Sequence, residues 1–226
     1  MAIAAAAFPF LGLLRRRQLK QWWSARLVKV LGVTLQIRGG GDVVPGCLLV
    51  ANHVSWLDIF IINAAWPAAF ISKAEVRQWP LFGWLAVKSE TVFLHRGSRG
   101  HAKVVNGEIA GLLADGQYVA LFPEGTTTDG STLHNFHGAL LQPAIDAGAL
   151  IQPLAIAYRL PDGRFTRAPA YDGDVSLGEC LRAIVGERHI VARIDVEPAL
   201  CTRETPDRKA LAHTARAAIL ERIESA

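Results

Sequence analysis

Short apolar runs alternate along the chain with longer segments in which apolar residues recur at the three- to four-residue spacing of a helix. The apolar runs predict strands at residues 34–38, 47–51, 69–72, 91–94, 118–122, 150–158 and 189–196. The segments between them predict helices at residues 55–66, 79–87, 100–114, 138–147, 176–185 and 206–223. Strands separated by helices are typical of a layered α/β fold. We therefore predict a mixed, mainly parallel sheet flanked by helices.

The last of these helices has a start signal of its own. Thr205 suits the N-cap and Pro206 the first helical position, and an apolar stripe of Leu211, Ala215 and Ile219 follows. No composition break or internal repeat occurs after residue 41. We predict two parts, an amino-terminal segment over residues 1–38 and one α/β domain over residues 39–226.

The amino-terminal segment begins with an uncharged apolar stretch, residues 1–14. As a helix it would be about 21 Å long, too short for a bilayer core of about 30 Å. A secretory signal carries its positive charge before the apolar region, whereas Arg15, Arg16 and Arg17 follow it here. We therefore expect neither a membrane-spanning helix nor a cleaved signal peptide in this stretch.

The next stretch, residues 19–37, combines Trp22 and Trp23 with Arg26 and Lys29, which is typical of a helix lying among lipid headgroups. Residues 1–41 contain seven basic and no acidic side chains. Each basic side chain near an anionic surface contributes about 1 kcal/mol to binding. We predict amphipathic helices that dock the protein, peripherally or monotopically, on the cytoplasmic face of the inner cell membrane. The alternative is an ordinary amphipathic helix packed on the core.

Composition narrows the class of protein further. Of 226 residues, 51% are apolar and 19% charged, which excludes a disordered chain. No stretch of 18 residues lacks a charged side chain, which excludes a polytopic membrane protein. The 17 basic and 20 acidic side chains beyond residue 41 show that the basic character is local. The three widely spaced cysteines suggest neither a disulfide framework nor a paired metal site.

A histidine stands where a predicted strand meets a predicted helix, in the segment from Leu48 to Asp58. Active sites of α/β proteins lie on such loops. Within one continuous helix, His53 and Asp58 would be about 140° apart and would not meet. On a turn before the helix, His53 can fold back over Asp58. The carboxylate would then accept the imidazole N–H and decide which ring nitrogen stays basic.

A structural explanation competes with this one. Ser55 and Asp58 also fit a capping box, in which Asp58 serves the helix start and His53 only fills a loop. This segment alone leaves both interpretations open.

Read together with Phe122-Pro123-Glu124-Gly125-Thr126, the histidine segment resembles two signature blocks of the glycerolipid acyltransferases, the 1-acyl-sn-glycerol-3-phosphate acyltransferase family. His53 and Asp58 match the H-x-x-x-x-D block, and residues 122–126 match F-P-E-G-T. Residues 93–96 match an arginine-bearing block and residues 151–154 an I-x-P block. The four blocks follow the family's order, and the resemblance covers roughly residues 25–160. The basic amino terminus also resembles the family's membrane-docking element.

The resemblance implies direct transfer of an acyl group from acyl-CoA or acyl carrier protein to the free hydroxyl of a lysolipid, without a cofactor or metal. It makes His53 the general base and Asp58 its orienting partner. Arg96 would bind the acceptor's phosphate, and Glu124 would bind a glycerol hydroxyl or hold Arg96. The substrate-binding residues implied by the family are Arg96, Glu124, Gly125, Thr126 and Lys73. The expected acceptor is 1-acylglycerol-3-phosphate, which would give phosphatidate.

Two departures from the family pattern concern the acceptor. The F-P-E-G-T block usually continues with arginine, whereas this chain has Thr127-Thr128-Asp129. The arginine-bearing block commonly opens with glycine, whereas this chain has Glu90. Both departures weaken a phosphate site, so lyso-ornithine lipid, which has no phosphate, is an alternative acceptor. A non-catalytic lipid-binding protein of the same fold and a thioesterase-like hydrolase are alternatives of other classes.

Other motifs are weaker. His134 and His137 have a spacing that could serve a metal, but no third ligand lies at motif distance, so we interpret them as loop histidines. The sequence has no G-x-S-x-G elbow and no glycine-rich nucleotide motif. It has no nucleic-acid-binding motif either, so we do not expect nucleic acid as a partner.

Overall fold

A computed structural model describes residues 12–39, 41–73, 91–94 and 99–225. Its strands are β1 Val33–Arg38, β2 Leu48–Ala51, β3 Ala69–Lys73, β4 Val92–Leu94, β5 Val119–Leu121, β6 Leu150–Arg159, β7 Ile190–Val196 and β8 Leu200–Cys201. Its helices are α1 Leu13–Val30, α2 Leu57–Ala65, α3 Arg99–Ala114, α4 Gln142–Ala147, α5 Leu177–Gly186 and α6 Arg208–Glu224. A 3₁₀ turn over Gly138–Leu141 leads into α4.

The described strands form one sheet in the order β1-β7-β6-β2-β5-β3-β4, and β8 pairs with β6. The central strand β2 is parallel to both of its neighbours, β5 and β6. The pairs β3–β5, β3–β4 and β1–β7 are also parallel, whereas β6 runs antiparallel to β7 and β8. The prediction of a mixed, mainly parallel sheet is therefore confirmed.

Helices cover both faces of this sheet, and β2 shows the consequence. Leu49 and Ala51 join a buried cluster with side chains of α1, α2 and α5. Leu48 and Val50 point to the other face and join a cluster with side chains of α3, α4 and α6. A strand buried on both faces has no need of alternating polar residues, which explains why β2 is apolar throughout.

Polar contacts as well as apolar packing hold α1 against α2. Lys20 Nζ donates to the Ala68 carbonyl at 2.9 Å. Gln21 Nε2 donates to the carbonyls of Ala64 and Ala65 at 3.2 and 3.0 Å. The last carbonyls of a helix have no donor within the helix, so Gln21 satisfies the carboxyl end of α2, and Lys20 binds the segment that follows it. Through these contacts α1 fixes the position of α2.

The opposite face of α1 is exposed and carries basic side chains with no acidic one. At 100° per residue, its members lie within about 80° of Trp22 on the helical circle. We call this surface the basic face of α1; its residues are Leu14, Arg15, Gln18, Trp22, Ala25, Arg26, Lys29 and Val30. Within the described ranges, no helix has the length and apolar character needed to cross a bilayer.

The boundary predicted after residue 38 lies too late, because the segment 1–38 includes a strand of the sheet. The helix ends at Val30, and the strand predicted at residues 34–38 is confirmed as β1, paired with β7. Gly32, with a φ of 73°, makes the turn between the two elements at a backbone conformation that favours glycine. The last six residues of the predicted segment 1–38 therefore belong to the sheet.

Other limits also differ from the sequence predictions. The last helix starts at Arg208 rather than Pro206, because Asp207 takes the N-cap and its carboxylate accepts from the Lys209 N–H at 2.8 Å. The short strand β8 was not predicted. The helix predicted at residues 79–87 and residues 1–11 lie outside the described residues.

Candidate active site

The parallel strands β2 and β5 end side by side, and the predicted site residues follow them. His53 comes two residues after β2, and Glu124 comes three residues after β5. Between strand and histidine, the buried Asn52 side chain exchanges two hydrogen bonds with the backbone of Ile156 on β6, at 2.7 and 2.9 Å. These bonds extend the pairing of the two strands past the end of β2. They fix the turn from which His53 projects.

The imidazole of His53 lies against the carboxylate of Asp58, with Nδ1 2.8 Å from Oδ2. His53 is on the turn and Asp58 is in the first turn of α2, as the sequence argument requires. The predicted contact between these two side chains is confirmed. Because an ionised carboxylate can only accept, Nδ1 carries the hydrogen, and Nε2 of the neutral ring has a free lone pair.

Asp58 is completely buried and its charge is compensated by hydrogen bonds. Besides the imidazole, Oδ2 accepts the backbone N–H groups of Val54 and Ser55 at 2.7 and 2.9 Å. Oδ1 accepts the hydroxyl of Tyr158 at 2.7 Å. The capping role of Asp58 and its contact with His53 therefore do not exclude each other. One carboxylate binds both the backbone at the start of α2 and the histidine.

One face of the His53 ring is covered, and the ring is still partly open to solvent. Phe122 stacks on the imidazole with ring centroids 3.9 Å apart and an angle of 4° between the planes. The His53 side chain retains 19% of its exposure, whereas Asp58 has none. Stacking and the Asp58 bond together fix the direction of Nε2. A ring held in this way can take a proton from a group that approaches from solvent or lipid.

The carboxylate of Glu124 joins the two loops of the site. Oε1 accepts the backbone N–H of His53, and Oε2 accepts the backbone N–H of His134, both at 2.8 Å. Burial raises the pKa of Glu124, and the two N–H donors lower it by a smaller amount. Both oxygens are thus used in holding backbone. Whether Glu124 also contacts an acceptor stays a prediction.

The remaining residues of the F-P-E-G-T segment form a tight turn. Gly125 has a φ of 70°, and its N–H donates to the Phe122 carbonyl at 3.1 Å. Thr126 is exposed beside it. Two residues further on, the N–H of Thr128 donates to the His53 carbonyl at 2.8 Å. The turn therefore holds the histidine loop by backbone, and the substrate-binding roles of Gly125 and Thr126 stay predictions.

Of the other two predicted substrate-binding residues, the structure describes the backbone of one, Lys73. Lys73 is the last residue of β3, in register with Leu94, the last residue of β4. Both strands are parallel to β5, so they end at the same edge of the sheet as β2 and β5. Arg96 follows two residues later and lies outside the described residues. The roles of Lys73 and Arg96 stay predictions.

Three contacts of the site have no signal in the sequence. Tyr158 looks like any apolar strand residue, although its hydroxyl reaches Asp58. Arg216 of α6 donates to the carbonyls of Leu133 and His134 at 2.6 and 2.9 Å, next to the N–H that Glu124 binds. Arg167 pairs with Asp129 at 2.7 Å. All three join segments that are far apart in the chain, so they become visible only in the folded structure.

No metal site is formed by the side chains that the structure describes, since no three His, Cys, Asp or Glu residues there are grouped to hold an ion. The histidine pair His134 and His137 lies in the exposed part of the loop that Glu124 binds. These side chains therefore add no ligand set to the His53 site.

Comparison with known proteins gives one family. A family model described as Acyltransferase matches residues 36–157. A lyso-ornithine lipid O-acyltransferase of Pseudomonas aeruginosa is 42% identical over 204 residues, which cover 90% of this chain and 78% of that protein. A 1-acyl-sn-glycerol-3-phosphate acyltransferase of Neisseria meningitidis is 41% identical over 166 residues, which cover 74% of this chain and 65% of that protein.

A solved structure shares the fold. The crystal structure of the 1-acyl-sn-glycerophosphate acyltransferase PlsC from Thermotoga maritima matches with a TM-score of 0.66 at 21% identity. The match covers 92% of this chain and 78% of that one. It supports the α/β layer with a mainly parallel sheet and flanking helices.

Changing Glu124 to glutamine tests the backbone role of this carboxylate. A glutamine amide can accept only one of the two backbone N–H groups and must turn its own N–H groups toward the other. We expect Glu124→Gln to lower the free energy of unfolding by about 1–3 kcal/mol, the cost of a buried unsatisfied donor. Urea denaturation followed by circular dichroism measures it. The exposed Glu108→Gln on α3 is the control, and equal stability of Glu124→Gln and wild type would contradict the assignment.

Proposed function

The chain belongs to the acyltransferase family, and from that premise we propose that it transfers a fatty acyl group from an acyl thioester to the free hydroxyl of a lysolipid. The single observation that carries this proposal is the His53 ring, bonded through Nδ1 to a buried carboxylate and stacked on Phe122, with Nε2 left as a base. An alcohol is a poor nucleophile until its proton is removed, and a positioned base accelerates that step by about 10²- to 10⁴-fold.

In the proposed reaction, His53 Nε2 takes the proton of the acceptor hydroxyl while the hydroxyl oxygen attacks the thioester carbonyl carbon. Asp58 stabilises the imidazolium that forms, because its Oδ2 lies 2.8 Å from Nδ1. The tetrahedral intermediate then collapses, the new ester bond remains, and the carbon–sulfur bond breaks. The thiolate leaves as free thiol after taking the proton from His53. Acyl-CoA and acyl carrier protein both supply such a thioester.

We propose 1-acylglycerol-3-phosphate as the acceptor, which gives phosphatidate as product. The arginine of the matched block, Arg96, supports this choice, because a guanidinium binds two phosphate oxygens at once. The strand register supports it as well, because Lys73 and the segment before Arg96 end at the edge of the sheet that carries His53.

Lyso-ornithine lipid is a second candidate acceptor, and the loop after Thr126 favours it. The family pattern continues with arginine after Thr126, whereas this chain continues with Thr127-Thr128-Asp129. The Asp129 carboxylate lies 2.7 Å from the Arg167 guanidinium. Thr128, the residue before it, is bonded to the His53 carbonyl. An acid paired with a base near the site suits a headgroup carrying both charges better than a phosphate. The relative from Pseudomonas aeruginosa, which matches 90% of the chain, is named for this acceptor.

We further propose that the basic face of α1 rests on a membrane surface. Arg15, Arg26 and Lys29 are exposed there beside Trp22, a side chain suited to the headgroup layer. The cytoplasmic leaflet has a negative surface potential that attracts such clusters. A peripheral or monotopic position on the cytoplasmic face would give the lysolipid a short path from the bilayer to His53.

An acceptor panel tests the proposed reaction. Labelled acyl groups are offered on CoA and on acyl carrier protein to the purified protein, with 1-acylglycerol-3-phosphate, lyso-ornithine lipid or no acceptor. We expect labelled diacyl product that depends on the acceptor, with little free fatty acid. Arg96→Ala should raise the KM for 1-acylglycerol-3-phosphate by about 10- to 100-fold, as expected for lost hydrogen bonds to a charged group. The exposed Arg182→Ala on α5 is the control.

Each alternative predicts a different outcome of this panel. A thioesterase releases free fatty acid at the same rate with or without lysolipid. A lipid-binding protein without activity binds lysolipid saturably and makes no product. An unchanged KM for 1-acylglycerol-3-phosphate in Arg96→Ala, together with faster transfer to lyso-ornithine lipid, would assign the second acceptor.

Charge reversal on α1 tests the membrane contact. Arg26→Glu combined with Lys29→Glu should weaken binding to vesicles containing phosphatidylglycerol by about 100-fold or more, because each basic residue contributes about 1 kcal/mol and each reversal adds repulsion. Co-sedimentation with vesicles measures it. The matched control is Arg208→Glu combined with Lys209→Glu, two exposed residues of α6 on the other face of the sheet. Equal loss of binding in both double variants would contradict a specific role for α1.

A further inference from the structure

A buried tyrosine of β6, Tyr158, completes the hydrogen-bond network around Asp58. Strand β6 continues past the end of β2, whose last residue, Ala51, is in register with Leu154. Asn52 then binds the backbone of Ile156, and Tyr158 is the next residue of β6 on that face. Its side chain is buried, with 2% exposure, so no substrate can touch it. Any effect of Tyr158 on the reaction must therefore pass through another residue.

That residue is Asp58. Three donors share Oδ2: the imidazole of His53 and the backbone N–H groups of Val54 and Ser55. Among the hydrogen bonds described, Oδ1 receives one, from the Tyr158 hydroxyl at 2.7 Å. Removing the hydroxyl would leave one oxygen of a buried carboxylate without this donor, and a hydrogen bond to a charged group is among the stronger ones in proteins.

We propose that Tyr158 is a positioning residue for acyl transfer, which acts through Asp58 to set the pH at which the His53–Asp58 pair takes up a proton. That the His53–Asp58 pair is catalytic rests on the proposed function, whereas the effect of Tyr158 on proton uptake by the pair does not. The pair carries one negative charge when the imidazole is neutral and none after proton uptake. A donor at Oδ1 stabilises the negative form and so keeps His53 available as a base at lower pH.

The titratable groups near the His53–Asp58 pair are consistent with Tyr158 as the donor to Asp58 Oδ1. Burial, and the negative charge of Asp58, raise the pKa of Tyr158 well above its ordinary value, so the hydroxyl keeps its proton. Cys180 of α5 lies close enough to act on both, and burial raises the pKa of its thiol, which stays neutral. Glu124 accepts the backbone N–H of His53, and its charge also interacts with the His53 ring. Its titration is common to wild type and any variant at position 158.

Tyr158→Phe tests the proposal with a change of one oxygen atom. The acidic limb of the kcat/KM profile should move upward by about one to two pH units, the effect of losing one hydrogen bond to a charged group. The KM for the acceptor should stay within about twofold, because Tyr158 does not touch it. A role in stability alone would lower the folded fraction without moving the limb.

Two further variants separate this effect from a general loss of a buried hydroxyl. Tyr118→Phe removes a partly buried hydroxyl, which donates to the Val43 carbonyl at 2.9 Å and has no contact with Asp58 among the hydrogen bonds described, and should leave the limb in place. Difluorotyrosine at position 158 keeps the shape and is a stronger donor, so it should move the limb to lower pH. An unchanged limb in both position-158 variants would overturn the proposal, as would the same shift in Tyr118→Phe.

Nitrogen-15 NMR of the His53 ring gives a readout that needs no activity, with the signal assigned by its loss in His53→Gln. The ring should titrate at higher pH in Tyr158→Phe than in wild type. If the protein transferred no acyl group to any acceptor but showed this shift, the proposed function would fail and the role of Tyr158 would stand. Identical titration of His53 in both proteins would overturn the role, whatever the activity.

Discussion

A carboxylate removed from water is the constraint on which the candidate site depends. Asp58 is fully buried, and an ionised group in that position is stable only if its oxygens are hydrogen-bonded. The donors come from the turn before α2, which includes His53, and from Tyr158 of β6. Because the donors belong to two separate segments and the carboxylate to α2, satisfying the one carboxylate fixes the turn, the ring and the strand relative to one another. The orientation of the His53 ring follows from this requirement.

Hydrogen bonds further from Asp58 also join separate segments of the chain around the site. Glu124 binds backbone on both sides of the site, and Arg216 binds the carbonyls next to one of those groups, so α6 supports the loop that supports His53. On the other face, Gln21 of α1 satisfies the carboxyl end of α2, the helix that carries Asp58 in its first turn. The helix proposed to rest on the membrane is therefore packed against the helix that carries Asp58. The proposed membrane contact and the geometry around His53 thus depend on the same packing.

Much of this could be predicted from the sequence where the signal is local. Strands such as β2 and β6 appear as apolar runs, and the contact of His53 with Asp58 follows from a turn placed before a helix. Contacts between distant segments could not be predicted, since nothing near Tyr158 marks its bond to a residue one hundred positions away. The predicted start of the last helix was wrong because two capping signals competed, and Asp207 rather than Thr205 caps α6. Glu124 was expected at the acceptor, and its buried position shows a backbone role that composition cannot reveal.

The most direct test of the account is the single-turnover rate of acyl transfer by His53→Ala with saturating acyl thioester and lysolipid. The protein should stay folded and vesicle-bound, and the rate should fall by at least about 10²-fold, the contribution of a positioned base. The exposed His189→Ala, more than a hundred residues away in sequence, should keep the wild-type rate. A His53→Ala variant that transferred acyl groups at close to the wild-type rate would contradict the assignment of Nε2 as the base.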